Sequence, residues 1–310
     1  MDVELRRFAH TAMATTFEVV VAGEAGDYAH QAADAVFAEV DQIESALSRF
    51  IESSDVCQIN HLAAGEWIRV GVHAVECLRA AARVHAETAG AFDVTIGPLM
   101  ACWRNPDKSP RQPSETELTE ARARVGMDLI ERDDAGQRIR VKSAGVQVDL
   151  GGIGKGYAVD RAADILRDWS VSCALISAGD SSTFAMGGHP SKNGWPVGVG
   201  GIGQETEALY TVMLCDRSLS GSGIYVKGRH ILDPRTGRPA AGKIAGWAIH
   251  PSATIADALS TAFMVMTPDK VESYCRKHPE ASAMLVLETP GEPTRLRFGK
   301  WNLIERAEKL

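Results

Sequence analysis

A chain of 310 residues with 45% hydrophobic and 24% charged side chains can bury a sizeable core, and it carries neither a disordered nor a collagen-like bias. Its formal charge of −7 excludes a large basic face for non-specific nucleic-acid binding, while leaving room for a local cationic patch on a phosphate. No apolar run approaches the ~18 residues of a transmembrane span, and the six cysteines are scattered without a CxxC pair, so they read as free, mostly buried thiols. The amino terminus mixes acid and base before His10, with no signal-peptide stretch and no lipid-anchoring cysteine, which sets the expectation of a cytoplasmic protein.

In chain order, TTFEVVVA at 15–22 has the β-branched and aromatic density of a mostly buried strand. Over 28–50 the pattern changes to Ala32, Val36, Val40, Ile43 and Leu47, three and four apart with acidic residues between them, which predicts a long amphipathic helix. A turn at 60–65, a short strand at 67–70 and a second helix over 72–89, stopped by Gly90, follow. The proline-rich stretch 98–117 reads as a surface loop, because proline interrupts both helix and sheet hydrogen bonding. A short helix is predicted at 119–125, and a hairpin from 129–131 and 138–142 about the turn at 133–136. Further strands are predicted at 146–150, 173–177, 195–199, 208–214, 243–249 and 283–288, and further helices at 157–167 and 254–266. Several connections are too short for βαβ crossovers, so the fold class is mixed α+β, with partly antiparallel sheets and packed helices. No linker divides the chain, so one domain over 1–310 is expected, with at most two subdomains within it and 101–117 as a surface loop.

Three clusters carry chemistry. Gly151, Gly152, Gly154 and Gly156 fall within six residues around Lys155, just ahead of a helix. Glycines admit close approach of a ligand to backbone, the lysine supplies one positive charge, and the helix supplies unpaired N–H groups, a combination suited to phosphate. A structural tight turn with an exposed lysine accounts for the same residues, and their spacing is neither the GxGxxG fingerprint nor that of a GxxxxGKS or GxxxxGKT loop.

The second cluster, Ser220, Ser222, Tyr225, Arg229 and His230, precedes a turn shaped by Pro234 and Gly237. It gathers hydrogen-bond donors with one titratable base, although a lone histidine at the entrance to a turn is equally at home as a structural residue. The third is a helix on which Asp257 and Thr261, four apart, share a face. A carboxylate and a hydroxyl suit Mg2+; the structural alternative has Thr261 bonded back to the carbonyl of Asp257, with Asp257 facing solvent. Phe92, Trp103, Tyr157 and Tyr225 can wall a planar ring or complete a core.

Considered together, these pieces resemble the ApbE family of FAD:protein FMN transferases. The motifs that carry the resemblance are MATTF at 13–17, LSRFIESSDVCQIN at 47–60, GAFDVTIGPL at 90–99, VDLGGIGKGYAVD at 148–160, HILDPRTGRP at 230–239 and IADALSTAF at 255–263. The resemblance implies a Mg2+-dependent enzyme that cleaves the pyrophosphate of FAD, attaches FMN through a phosphoester to Thr or Ser of an acceptor protein, and releases AMP. It implies a metal held by the carbonyl of Gly154 with Asp257 and Thr261, and His230 activating the attacking hydroxyl. Along the FAD it implies Gly151, Gly152, Lys155, Tyr157, Asp160, Ser222, Tyr225 and Arg229. Two segments depart from the family pattern: NAGGD is here SAGDSS at 177–182, and MGT is Met13, Ala14 and Thr15. Many members are exported and lipid-anchored, so the lack of both signals points to flavinylation in the cytoplasm or before export. The same residues also suit a Mg2+-dependent FAD pyrophosphatase that uses water, or a flavin-binding protein without turnover.

Overall fold

The computed structural model describes residues 3–107, 109–200, 208–225, 228–301 and 305–306. The chain opens with β1 (Leu5–Ala12), β2 (Thr15–Ala22), α1 (Gly26–Leu47), α2 (Asp55–Asn60), β3 (Trp67–Arg69) and α3 (Val72–Glu87). Next come α4 (Gly97–Cys102), α5 (Glu115–Arg122), β4 (Ile130–Asp133), β5 (Arg138–Val141) and α6 (Gly154–Asp168). Then follow β6 (Ala174–Ala178), β7 (Ser182–Met186), β8 (Trp195–Gly200), β9 (Ala208–Leu214), β10 (Arg217–Gly223), β11 (Leu232–Asp233), β12 (Arg238–Pro239) and β13 (Lys243–His250). The last elements are α7 (Ala253–Val265), α8 (Pro268–Lys277), β14 (Ser282–Leu287), β15 (Thr294–Phe298) and β16 (Glu305–Arg306).

An eight-stranded sheet in the order β1, β2, β6, β7, β10, β13, β14, β15 forms the frame, and every pairing in it is antiparallel. Both of its faces are covered. On β2, Phe17, Val19 and Val21 enter the helical core with α1, α3, α6 and α7, whereas Val20 and Ala22 enter a second core with Trp195, Leu214, Trp247 and Trp301. A strand buried on both faces needs no polar alternation, which is why TTFEVVVA shows none. The predicted stripe Ala32, Val36, Val40, Ile43 and Leu47 is the buried face of α1.

The β1–β2 hairpin closes through Met13 (φ +51°) and Ala14 (φ +56°), the two left-handed residues that a two-residue hairpin loop requires. Alanine at that φ is strained where the glycine of MGT would not be. At the far end of α3, His85 Nδ1 lies 3.2 Å from the buried carboxylate of Asp93, which also accepts the N–H (2.8 Å) and hydroxyl (2.6 Å) of Thr95. The Asp93 hydrogen bond raises the His85 pKa above its ordinary value. A raised folded-state pKa contributes stability that is full below about pH 6.5 and is lost as pH rises through the folded value. Thermal unfolding of wild type and His85→Gln across pH 5.5 to 8.5 should therefore converge with rising pH; a constant gap would show that the ion pair is not the source.

Three sequence expectations need correction. The stretch 98–117 is not all loop: α4 starts at Gly97, with Pro98 in the first turn where its missing N–H costs nothing, and Ser114 begins α5 through a capping box with Glu117. The strand predicted at 146–150 makes only an isolated parallel bridge, Ile96 to Gln147. The Asn60 amide takes the place of a partner strand, accepting from Val148 N (2.6 Å) and donating to Val148 O (3.0 Å). Finally, β10 occupies a segment read only as a polar cluster. Ser218, Ser220 and Ser222 fall on one of its faces, at a period of two that hydrophobic patterning does not register.

Candidate active site

The loop 148–153 and the start of α6 are the point to which the scattered motifs return. Asn60 holds Val148, and Arg49 pairs with Asp149 at 3.1 Å. A Cβ on Gly152 would lie 3.2 Å from Thr261 Oγ1 and 3.3 Å from Phe92, and one on Gly154 would lie 3.4 Å from Met13. Segments distant in sequence thus meet on one glycine loop, and the close contacts at Gly152 explain why a residue without a side chain sits there. The Lys155 ammonium folds back to the carbonyl of Gly151 at 3.4 Å, over the same loop.

Helices α6 and α7 cross in tight contact beside it. A Cβ on Gly156 would come within 2.2 Å of Ala253 O and 2.6 Å of Asp257 Cβ, so glycine is what permits this approach. The Gly156 N–H donates to Asp257 Oδ2 at 2.9 Å. Asp257 is 3% exposed and faces inward, which sets aside the solvent-facing alternative. Burial, with the charge of Asp257 added, pushes the Cys77 thiol of α3 far up. The carbonyl of Asp257 is taken by Ser260 Oγ (2.8 Å), leaving the hydroxyl of Thr261 directed to Ser222 Oγ at 3.2 Å, and Ser222 also meets Ser260 Oγ at 2.8 Å. A buried carboxylate, three hydroxyls and a glycine backbone therefore form one cluster of hard oxygen donors. Among the described residues no three His, Cys, Asp or Glu side chains converge on a point. A Mg2+ site here would rest on one carboxylate, hydroxyls, backbone and substrate phosphate, a donor set that hard cations accept.

His230 stands immediately before the β11–β12 hairpin. Asp233 shapes that turn by binding the guanidinium of Arg235 (2.8 and 2.9 Å), and Gly237 adopts φ +74°. Trp103 Nε1 donates to Gly237 O at 2.8 Å, and Leu232 packs with Leu99, Leu118 and Ala121. The hairpin is thereby docked on α4 and α5, so the helix hidden in the proline-rich stretch supports the histidine. His230 Nδ1 lies 2.9 Å from Gly228 O. A carbonyl only accepts, so the neutral ring carries its proton on Nδ1 and its lone pair on Nε2, the tautomer of a general base.

The other sequence-predicted residues divide. Gly151, Gly152, Gly154 and Lys155 lie on the loop and first turn of α6, and Ser222 is in the oxygen cluster. Gly152 rather than Gly154 packs against Thr261; Gly154 is buried under Met13 and Leu150. Tyr157 is a buried core residue: its hydroxyl donates to Glu76 (2.8 Å) and meets His73 Nδ1 (3.0 Å), and burial with the Glu76 contact drives its pKa far up. Asp160 is committed to the N-terminus of α7 through both oxygens. Arg229 Nη2 donates to both carboxylate oxygens of Glu288 (2.8 and 2.7 Å), while Tyr225 is 49% exposed. Arg49, Asn60 and Met13 were visible in the sequence only as motif letters; their contacts with the loop had no local signal.

The model of the ApbE family matches residues 13–285. The chain belongs to the ApbE family. Among ApbE relatives, the FAD:protein FMN transferase of Klebsiella pneumoniae (strain 342) is 28% identical, the match covering 91% of this chain and 84% of that protein. The crystal structure of the ApbE protein of Thermotoga maritima is 31% identical with a TM-score of 0.86, over 98% of this chain and 100% of that one. That of the Pseudomonas stutzeri flavinyl transferase ApbE, in its apo form, is 27% identical with a TM-score of 0.87, over 98% of each chain. The mixed α+β architecture with antiparallel sheets is thus the ApbE architecture.

Proposed function

We propose a Mg2+-dependent FAD:protein FMN transferase in which the oxygen cluster of α7 and β10 faces the FAD pyrophosphate and His230 takes the proton of the acceptor hydroxyl. As a member of the ApbE family the chain is a flavin transferase, with FAD and an acceptor protein as its substrates. The observation that carries the finer reading is the convergence at Gly152, where Thr261, the glycine loop and Phe92 come together beside buried Asp257.

Asp257 and Thr261 would hold the cation together with a loop carbonyl, and the Gly152 contact favours Gly152 over Gly154 for that backbone ligand. When bound, Mg2+ offsets charge on the pyrophosphate oxygens as the P–O bond breaks. Gly151 and Gly152, without side chains, would let the phosphates come close to the loop, and Lys155 would add the local positive charge. An acceptor Thr or Ser oxygen forms a bond to the FMN phosphorus, the bridging P–O bond breaks, AMP departs with the electron pair, and the hydroxyl proton passes to His230 Nε2. The step needs no protein nucleophile.

Lys155→Ala should weaken FAD binding and flatten its salt dependence, because a cation on phosphate loses strength as salt screens it. Equilibrium FAD titration at two salt concentrations checks this, and identical affinity and slope in mutant and wild type would remove the phosphate contact. His230→Asn tests the base: it keeps size and some hydrogen bonding, so transfer should fall by about 10²- to 10⁴-fold while FAD affinity stays near wild type. Single-turnover AMP release with an acceptor Thr present reads that step. Undiminished labelling by the variant would refute the assignment, and AMP with free FMN but no labelled acceptor in the wild type would favour the pyrophosphatase.

A further inference from the structure

Helix α7 carries both Asp257 and Thr261, and it is fixed from outside at each end. At its start, Asp160 of α6 accepts from Ala253 N (2.7 Å) on Oδ1, and from Ser252 Oγ (2.6 Å), Thr254 N (2.9 Å) and Thr254 Oγ1 (2.6 Å) on Oδ2. One turn earlier on the same face of α6, the Gly156 N–H donates to Asp257 Oδ2 at 2.9 Å. Gly156 and Asp160 together pin α7 at two levels, the first through a contact with no room for a side chain. At the other end the buried Lys243 donates to Met264 O at 3.1 Å. A carboxylate at the N-terminus and an ammonium at the C-terminus both complement the helix dipole.

We propose that Asp160 is a positioning residue: it fixes the height and rotation of α7 at which Asp257 meets Gly156 and Thr261 meets Gly152, and so sets the affinity of that cluster for its divalent cation without lying along the FAD. The inference rests on the reading of Asp257 and Thr261 as cation ligands. Each Asp160 oxygen faces one backbone N–H, Ala253 on Oδ1 and Thr254 on Oδ2. Asparagine therefore cannot substitute, since either orientation of its amide turns an NH2 group toward a donor that cannot reverse.

The test is calorimetric titration of the whole protein with MgCl2 in the presence of FAD, below the unfolding range of every variant. Asp160→Asn should weaken Mg2+ binding by about tenfold or more, as loss of a group that orients a metal ligand does, with FAD affinity in the absence of Mg2+ changed less than about twofold. Lys243→Met, which frees the opposite end of α7, should lower Tm and weaken Mg2+ binding less than Asp160→Asn does, because Met264 lies two turns from the carboxylate of Asp257 although within a turn of the Thr261 hydroxyl. Thr254→Val, which removes only one of the four bonds, should act in the same direction as Asp160→Asn at about threefold, and stands in for it if that variant does not fold. Wild-type Mg2+ affinity in the position-160 variant, or in Thr254→Val where that stands in, or equal weakening in Lys243→Met, would overturn the proposal. Asp257→Ala separates the two readings: Mg2+ binding unchanged by that substitution would remove the cation site itself, and the positioning role with it.

Discussion

Asp257→Ala is expected to yield a folded protein that has lost at least about a hundredfold of its Mg2+-dependent AMP release from FAD. The side chain is buried and supplies the carboxylate of the oxygen cluster, and among the described residues no three His, Cys, Asp or Glu side chains converge there. Folding should survive, because alanine is the better helix former and the lost Gly156 N–H bond costs about 1 to 3 kcal/mol for a buried donor left without its partner. Mg2+ titration of AMP release, paired with thermal unfolding, separates the two effects. Wild-type turnover with an unchanged Mg2+ midpoint would remove Asp257 from the site.

Gly156→Ala should have the largest effect on stability, and its neighbour two residues away supplies the contrast. At Gly156 the new methyl would meet the Ala253 carbonyl at 2.2 Å and Asp257 Cβ at 2.6 Å, so α6 and α7 must separate. Overpacking between two helices costs about 3 kcal/mol, a Tm loss of roughly 5 to 10 °C, and here it would also displace the Asp257 carboxylate. At Gly154 the nearest atom is the mobile end of Met13 at 3.4 Å, and the residue already sits in α6, so Gly154→Ala should be neutral or slightly stabilising. Differential scanning calorimetry of the two variants gives the comparison; equal Tm values would mean that the helix crossing is looser than its geometry indicates.

Those two glycines show how far the sequence could be read. The run GGIGKG marks a place where backbone must approach something, but only the fold reveals that Gly156 faces a helix and Gly152 faces Thr261. The long helices and the central strands were legible because their apolar spacing is strong, as on α1 and β2. β10 was not, because its inward face is a row of serines, of which Ser220 and Ser222 find partners on β7 and α7. Nor was the segment around Val148, whose backbone is satisfied by a side chain 88 residues away. Asp160 is legible as a motif residue, but spacing, which places a carboxylate on α6, cannot say that the start of α7 lies against it. His230 was legible as a titratable group before a turn, whereas its support, the docking of the hairpin on α4, depends on a helix concealed among prolines.

Transfer itself is read most directly by the mass of the acceptor. The protein is incubated with FAD, Mg2+ and an acceptor carrying one Thr in a flavinylation motif, and the intact acceptor is weighed while AMP is quantified. A gain of one FMN moiety on that Thr, matched one for one by AMP, is the expected result. AMP and free FMN with an acceptor of unchanged mass would contradict transfer.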